Sequence, residues 1–244
     1  MLDGKVILVT GASQGVGEGV ARFLSKQGAV CVLVARNQSR LDEISAELPT
    51  GSYVYSCDLC ELDAIEEMFR WCRSQGIKFD GMVHAAGMGV PCPIKVKDYE
   101  LWQRSVQLNC FSFIELVRCF SSKRYSNNSS SVVAVSSIAS VRNDKGQAPY
   151  SGTKAMLNSV IKTMTKELNA SRIRVNGILP AYIDTKSIEN FSELYEGFEA
   201  TLAQEQPMGK IPLEQVGHLV EFLLSEKSLY ITGALIPIEG GNVS

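Results

Sequence analysis

The sequence predicts a single doubly wound α/β domain of Rossmann type, with a seven-stranded parallel sheet flanked by helices. Three observations predict it. Short β-branched runs alternate with longer stretches of helical period. The runs are nearly continuous in apolar residues, as strands covered on both faces are. The first run leads straight into a glycine-rich turn followed by a helical stretch.

Taken in order, residues 5–10 (KVILVT), 30–35 (VCVLVA), 52–56 and 81–84 (GMVH) read as the first four strands. Residues 131–136 (SVVAVS), 173–178 (IRVNGI) and 234–238 (ALIPI) complete the set. Helical segments fall at 15–28, 38–48, 61–76, 98–124, 150–170 and 213–225. The polar run 126–131 (SNNSSS) reads as a connecting loop. No repeat or linker interrupts the alternation, so residues 1–244 are read as one domain. Residues 181–212 lack a period and are long for a connection. They follow a strand, and ligands in this architecture bind beyond the carboxyl ends of strands, so they are read as a substrate loop.

Composition narrows the function classes. Apolar residues make up 45% and charged residues 20%, with a net charge of −2, so nothing attracts the chain globally to nucleic acid or an anionic membrane. No apolar run approaches the roughly 20 residues that span a bilayer, and the opening residues read as a strand, not a signal peptide. The expectation is a cytoplasmic protein. The seven cysteines are an odd number and mostly sit in apolar segments, which reads as buried free thiols. Cys57 and Cys60 have metal-ligand spacing, but no second pair exists and His84 and His218 are distant. No metal site is expected.

The cofactor site comes from Thr10, Gly11, Ala12, Ser13, Gln14, Gly15, Val16 and Gly17, between the first strand and the first helix. Glycines let the backbone turn and approach a pyrophosphate, whose charge the helix N-terminus stabilises. Arg36, at the end of the second strand, stands where an acidic residue would accept hydrogen bonds from the ribose of NAD. An arginine favours the 2′-phosphate, so NADP(H) is the expected cofactor.

Tyr150 and Lys154 are four apart on a helix with apolar positions Leu157, Val160, Ile161, Met164 and Leu168, hence on one face. A phenol titrates near pH ~10, and a neighbouring ammonium together with the positive nicotinamide ring lowers that toward the range useful for acid catalysis. Ser137, at the end of the fifth strand, faces the same crevice and can hydrogen-bond a substrate oxygen.

These motifs, with Asp58, Leu59, His84, Ala85, Ala86, Gly87, Asn109 and the stretch from Pro180 through Thr185, resemble the classical short-chain dehydrogenase/reductase family over essentially the whole chain. The resemblance implies that Tyr150 is the acid/base and that Lys154 lowers its pKa while holding the nicotinamide ribose. It implies that Ser137 orients the carbonyl and that Asn109 keeps a water in the proton relay. Asp58 would contact the adenine, and Leu59, Ala85, Ala86, Gly87, Pro180, Ile183 and Thr185 would join the cofactor site. Two departures stand out. His84-Ala85 replaces the usual Asn-Asn, a variant shared with relatives that reduce ketones in polyketide synthesis. Pro180-Ala181 replaces Pro-Gly, and a methyl there would clash if the backbone needed a positive φ.

Length and motif order also resemble bacterial 3-oxoacyl-acyl carrier protein reductases, with Lys123, Arg124 and Arg172 in roughly the places that dock an acidic carrier. The alternative is that these are solvated helix-end cations. Residues 88–97, 138–147 and 181–212 should line the pocket by analogy, and their composition suits a mainly apolar or small carbonyl substrate or an acyl thioester. Rival readings are an alcohol or sugar dehydrogenase and a dinucleotide-binding sensor without turnover. Leu101, Trp102, Val106, Leu108, Phe111, Phe113, Leu116, Val117 and Phe120 spread around more of their helix than one core stripe needs. With Met156 on the 150–170 helix they suggest a homodimer or homotetramer.

Overall fold

A computed structural model of the chain describes residues 2–89, 91–186, 188–189 and 197–241. Seven strands, β1 (Val6–Thr10), β2 (Val30–Ala35), β3 (Ser52–Ser56), β4 (Phe79–His84), β5 (Ser126–Val135), β6 (Arg174–Pro180) and β7 (Leu235–Ile238), form one parallel sheet in the order β3-β2-β1-β4-β5-β6-β7. The order reverses between β1 and β4, and this opens the crevice beyond their carboxyl ends.

The helices divide between the two faces. On one lie α1 (Gly15–Lys26), α2 (Gln38–Glu47) and α8 (Leu213–Leu224), whose Val20, Leu24, Leu41, Ile44, Val216 and Val220 are buried. On the other lie α3 (Leu62–Ser74), α4 (Tyr99–Val106), α5 (Ser112–Phe120) and α6 (Ala148–Leu168), contributing Phe69, Phe113, Phe120, Leu157 and Ile161. Strand residues alternate between these cores: Ile7 and Val9 join the first, Leu8 the second. Each large side chain so buried stabilises the fold by roughly 1.5–3 kcal/mol relative to exposure. Six of the cysteines are buried free thiols, and Cys60 is half-buried.

Three expectations need correction. The single helix over 98–124 is divided by a π-turn, Gln107–Phe111, between α4 and α5. The wider turn lets two successive residues, Asn109 and Cys110, both face inward. The polar run 126–131 belongs to β5: Ser126 pairs with Phe79, and pairing resumes at Gly81 and Ser131 after a bulge. Ser129 takes φ 62° in that bulge, and Asn127 Nδ2 donates to Asp80 Oδ1 at 3.0 Å. The 181–212 connection is not without structure, since it holds α7 (Phe198–Glu205) and a parallel bridge between Ile183 and Ile211. Its residues 187 and 190–196 lie outside the described part, as does Val90 of the 88–97 stretch.

Candidate active site

β1 ends in Thr10, and the chain turns into α1 through glycines in unusual conformations. Gly11 has φ 67° and Gly15 φ 56°. A Cβ on Gly11 would stand 2.7 Å from the Ala86 nitrogen, and one on Gly17 would strike the Gly11 carbonyl. At Gly15 it would meet nothing within 4 Å. Gln14 precedes α1 without a side-chain cap, so the first-turn N–H groups of Val16 and Gly17 are left to another acceptor. Ser13 lies between. A tight turn, open space and uncapped amides on a 12-residue helix fit a dinucleotide pyrophosphate.

Thr10 is the hub of the crevice. Its hydroxyl pairs with His84 Nδ1 at 2.9 Å and accepts the Ala86 N–H at 3.3 Å. His84 is fully buried, and burial, helped by Lys154, drives its pKa down to about 3. The ring is therefore neutral and ties β4 to β1. Ala85 and Ala181 both lack a positive φ, so neither departure strains the backbone.

On the far side of the turn Arg36 is exposed, and its carbonyl accepts from Ser56 Oγ at 2.9 Å. Asp58 Oδ1 accepts the Cys60 N–H at 3.0 Å, with Leu59 buried beside it. Asp58 borders a cavity of about 510 Å³ that Gln103, Arg104 and Gln107 also line.

Ser137, Tyr150 and Lys154 converge at the carboxyl end of β5. Ser137 caps a short 3₁₀ turn, its hydroxyl accepting the Ala139 N–H at 3.1 Å. Its carbonyl receives Ser140 Oγ at 2.6 Å, and Ser140 Oγ in turn accepts Asn158 Nδ2 at 2.7 Å, fastening the turn to α6. The Tyr150 phenol hydrogen-bonds Ser137. Lys154 is 4% exposed and donates from Nζ to the Val135 carbonyl at 2.8 Å. Burial lowers its pKa to about 8. Burial raises the pKa of Tyr150 and the Ser137 hydrogen bond only offsets part of that, while Lys154 Nζ stands 5.8 Å from the Tyr150 ring centroid. In the chain alone the phenol keeps its proton at neutral pH.

Asn109 sits behind this group, fully buried. Its Oδ1 accepts the Met88 N–H at 2.8 Å, and its Nδ2 donates to the Met88 carbonyl and to Thr153 Oγ1, both at 2.9 Å. The amide thus binds the extended stretch that follows Gly87 to α6. A Cβ on Gly87 would lie 3.4 Å from Lys154 Nζ and 3.2 Å from Asn109 Oδ1. Pro180 ends β6, Ile183 is buried against Ile211, and Thr185 Oγ1 reaches the Ile183 carbonyl at 3.4 Å.

Residues 88–97 and 138–147 meet where the Cys92 N–H donates to the Gly146 carbonyl at 2.7 Å. They border a cavity of about 650 Å³ beside the first turn of α6, lined by Pro93, Ile94, Lys95 and Ser151 among others but not by Tyr150 or Ser137. Arg142 and Glu205 pair at 2.6 Å and bring the third stretch alongside. Thr153 and Gln206 were not singled out by sequence. Buried Gln206 takes the Tyr182 N–H at 3.0 Å and donates to the Tyr182 and Gly209 carbonyls. Thr153 lies within the Tyr-to-Lys spacing, a signal that could have marked it; Gln206 gave none. Lys123, Arg124 and Arg172 are exposed at the amino ends of β5 and β6, the end of the sheet opposite Ser137. No group of three potential metal ligands exists among the described residues, and no helix there is long and apolar enough to cross a membrane.

A dinucleotide crevice with a Ser, Tyr and Lys group at a strand end defines an oxidoreductase site. A family model described as enoyl-(acyl carrier protein) reductase matches residues 11–242. The chain is 30% identical to the 3-oxoacyl-(acyl-carrier-protein) reductase FabG of Rickettsia conorii, over 98% of this chain and 97% of that protein. It is 28% identical to the FabG of Thermotoga maritima, covering 99% of each. Among solved structures, L-sorbose reductase of Gluconobacter frateurii, complexed with NADPH and L-sorbose, superposes with a TM-score of 0.91. That match has 26% identity and covers 100% of this chain and 98% of the other. The chain belongs to the short-chain dehydrogenase/reductase family, oxidoreductases that use NAD(P)(H).

Proposed function

We propose that the protein is an NADPH-dependent carbonyl reductase that converts a ketone to a secondary alcohol. The observation that carries this reading is the meeting of Ser137, Tyr150 and Lys154 at the carboxyl end of β5, in the crevice that the uncapped first turn of α1 also borders. The phenol is the proton donor for a carbonyl oxygen gaining negative charge, and the positive charges of Lys154 and of the bound nicotinamide ring make that donation easier. The bound cofactor supplies the hydride. Ser137 orients the carbonyl and Tyr150 gives the proton. Lys154 stabilises the resulting phenolate and holds the cofactor ribose through the protons not committed to Val135. Asn109 fixes the Gly87–Met88 backbone and the start of α6 about one another, and belongs to the path that returns a proton to Tyr150.

Gly11, Gly15, Val16 and Gly17 bind the pyrophosphate, Arg36 the 2′-phosphate, and Asp58 the adenine. Residues 181–212 close over the substrate. A 3-oxoacyl thioester is one substrate class, supported by likeness to the FabG proteins; a sugar ketone is a second, supported by likeness to L-sorbose reductase. The protein works as a homo-oligomer, for which exposed Tyr99 and Phe111 offer apolar surface. The test is a panel of ketones, 3-oxoacyl thioesters and sugars followed by NADPH absorbance; absence of turnover with all three overturns the reading in favour of a non-catalytic dinucleotide binder.

A further inference from the structure

Two arginines stand near the carboxyl end of β2, and their surroundings differ. Arg36 is exposed, and no carboxylate pairs with it among the described residues. Arg40, in the first turn of α2, is paired twice: Nη2 donates to Glu18 Oε1 and Nη1 to Glu43 Oε2, each at 2.8 Å. Its main-chain N–H is taken by Asn37 Oδ1, the cap of α2, at 3.0 Å.

Glu18 lies in the first turn of α1, beside the uncapped amides that fit a pyrophosphate. The same Oε1 atom also receives Arg22 Nε at 2.9 Å, and Arg22 Nη1 reaches Glu47 at 2.7 Å. Glu18 therefore joins the first turn of α1 directly to the first turn of α2. The two-residue stretch of Arg36 and Asn37 is held from three sides. Ser56 holds the Arg36 carbonyl, Asn37 caps α2, and the Glu18–Arg40 pair ties α2 to α1.

The pyrophosphate and 2′-phosphate of one dinucleotide hang from the same ribose, so their separation is confined to a limited range. A protein grips both only if the first turn of α1 and the Arg36 guanidinium keep a matching separation. We propose that the Glu18–Arg40 ion pair is the positioning element that sets this separation, and with it the preference for the 2′-phosphorylated cofactor. Two of the five N–H donors of the Arg40 guanidinium are committed to Glu18 and Glu43, which assigns it to positioning and leaves the phosphate to Arg36. The proposal rests on the NADP(H) reading above.

The test compares dissociation constants for NADPH and NADH, by fluorescence titration, in the unmodified protein and in Glu18→Gln, Arg40→Leu, Arg40→Lys and Arg22→Leu variants. The NADPH-to-NADH affinity ratio should fall about three- to tenfold in Glu18→Gln and Arg40→Leu. Arg40→Lys should retain most of the ratio. Arg22→Leu removes the other tie to Glu18 but leaves the clasp, so it should lower the melting temperature without moving the ratio. Should Glu18→Gln fail to fold, Arg40→Leu carries the same comparison. An unmodified protein that prefers NADPH, with variants that keep its ratio or with Arg22→Leu lowering it equally, overturns this proposal alone. An unmodified protein without that preference overturns the cofactor reading and this proposal together.

Discussion

The Lys154 ammonium donates to the main-chain carbonyl of Val135 at 2.8 Å, so the helix that carries Tyr150 is pinned to the strand that presents Ser137. The charge is buried for this purpose, and its pKa falls to about 8. Separation between the proton donor and the hydroxyl that orients its target is thereby fixed without a loop between them.

Removing the phenolic oxygen should abolish the chemistry and spare binding. Tyr150→Phe should lower kcat by about 10²–10⁴-fold or more, the usual range for a lost general acid, with the NADPH dissociation constant nearly unchanged. Lys154→Ala should harm both. Steady-state kinetics with parallel titrations checks this, and a Tyr150→Phe enzyme of near-normal activity refutes the role.

Cofactor choice should follow Arg36. The 2′-phosphate offers charge-assisted hydrogen bonds that NADH lacks, so NADPH should bind more tightly, and Arg36→Asp should reverse the order. Equal affinities in the unmodified protein would show that Arg36 is only a solvated side chain.

The pH response has two parts. Lys154 carries its charge below about 8, so turnover should decline as pH rises through that value. Buried Cys31, Cys72 and Cys119 are pushed up to about 12, and Cys57 and Cys110 to about 11, from an ordinary 9.0. A folded-state pKa raised above the unfolded one contributes stability that is whole below pH 9 and is lost as pH rises toward 11–12. Lys154, with its folded pKa lowered, acts in the opposite sense between about 8 and 10.5, but it is one group against five thiols. Melting temperatures under reducing conditions should therefore fall above pH ~9; a flat profile to pH ~11 would contradict the burial of these thiols.

A carrier-bound substrate would expose itself through salt. Arg124 and Arg172 stand a strand's length from Ser137 in the same chain, so any carrier docked there acts through electrostatic capture and not through contact with the reacting carbonyl. Arg124→Glu and Arg172→Glu should lower kcat/KM for a carrier-bound thioester at low salt, less so at 0.1 M and above, where screening acts over about 10 Å. Small ketones should be indifferent. If reduction of the carrier-bound form is also indifferent, the substrate is a small carbonyl compound.

Self-association is the remaining expectation with a direct readout. Light scattering at micromolar concentration should give a multiple of 26.7 kDa, and Phe111→Glu should reduce it. A monomer in the unmodified protein would leave Tyr99 and Phe111 as isolated surface aromatics.

Most of the fold was legible because its signals are local. β-branched runs such as 30–35 have no alternative to a buried strand, and the seven observed strands fall on or beside the seven that the sequence predicts. Thr10 through Gly17 and the Tyr150–Lys154 spacing were legible for the same reason: each needs particular residues within one turn. What escaped depends on distant partners. The 127–130 bulge is set by β4 and Asp80, the division of the 98–124 helix by Met88 and Thr153, and the raised pKa of Tyr150 by the depth of its burial. The apolar excess between 101 and 120 also shrinks on folding. Leu101, Trp102, Val106 and Leu108 become half-buried, and of the residues that suggested a partner only Phe111 stays exposed.

The π-turn at Gln107–Phe111 makes the length of this segment as important as its composition. A π-turn holds one residue more than an α-turn, so deleting one residue there would let regular i→i−4 bonding resume with α4 and α5 still in phase. Tyr99, Leu101 and Trp102 would keep their faces, but two successive positions could no longer both face inward. Whichever of Asn109 and Cys110 lost its place, a contact with Met88 or with Thr153 of α6 would go with it, so the extra residue is what lets one turn reach both neighbours.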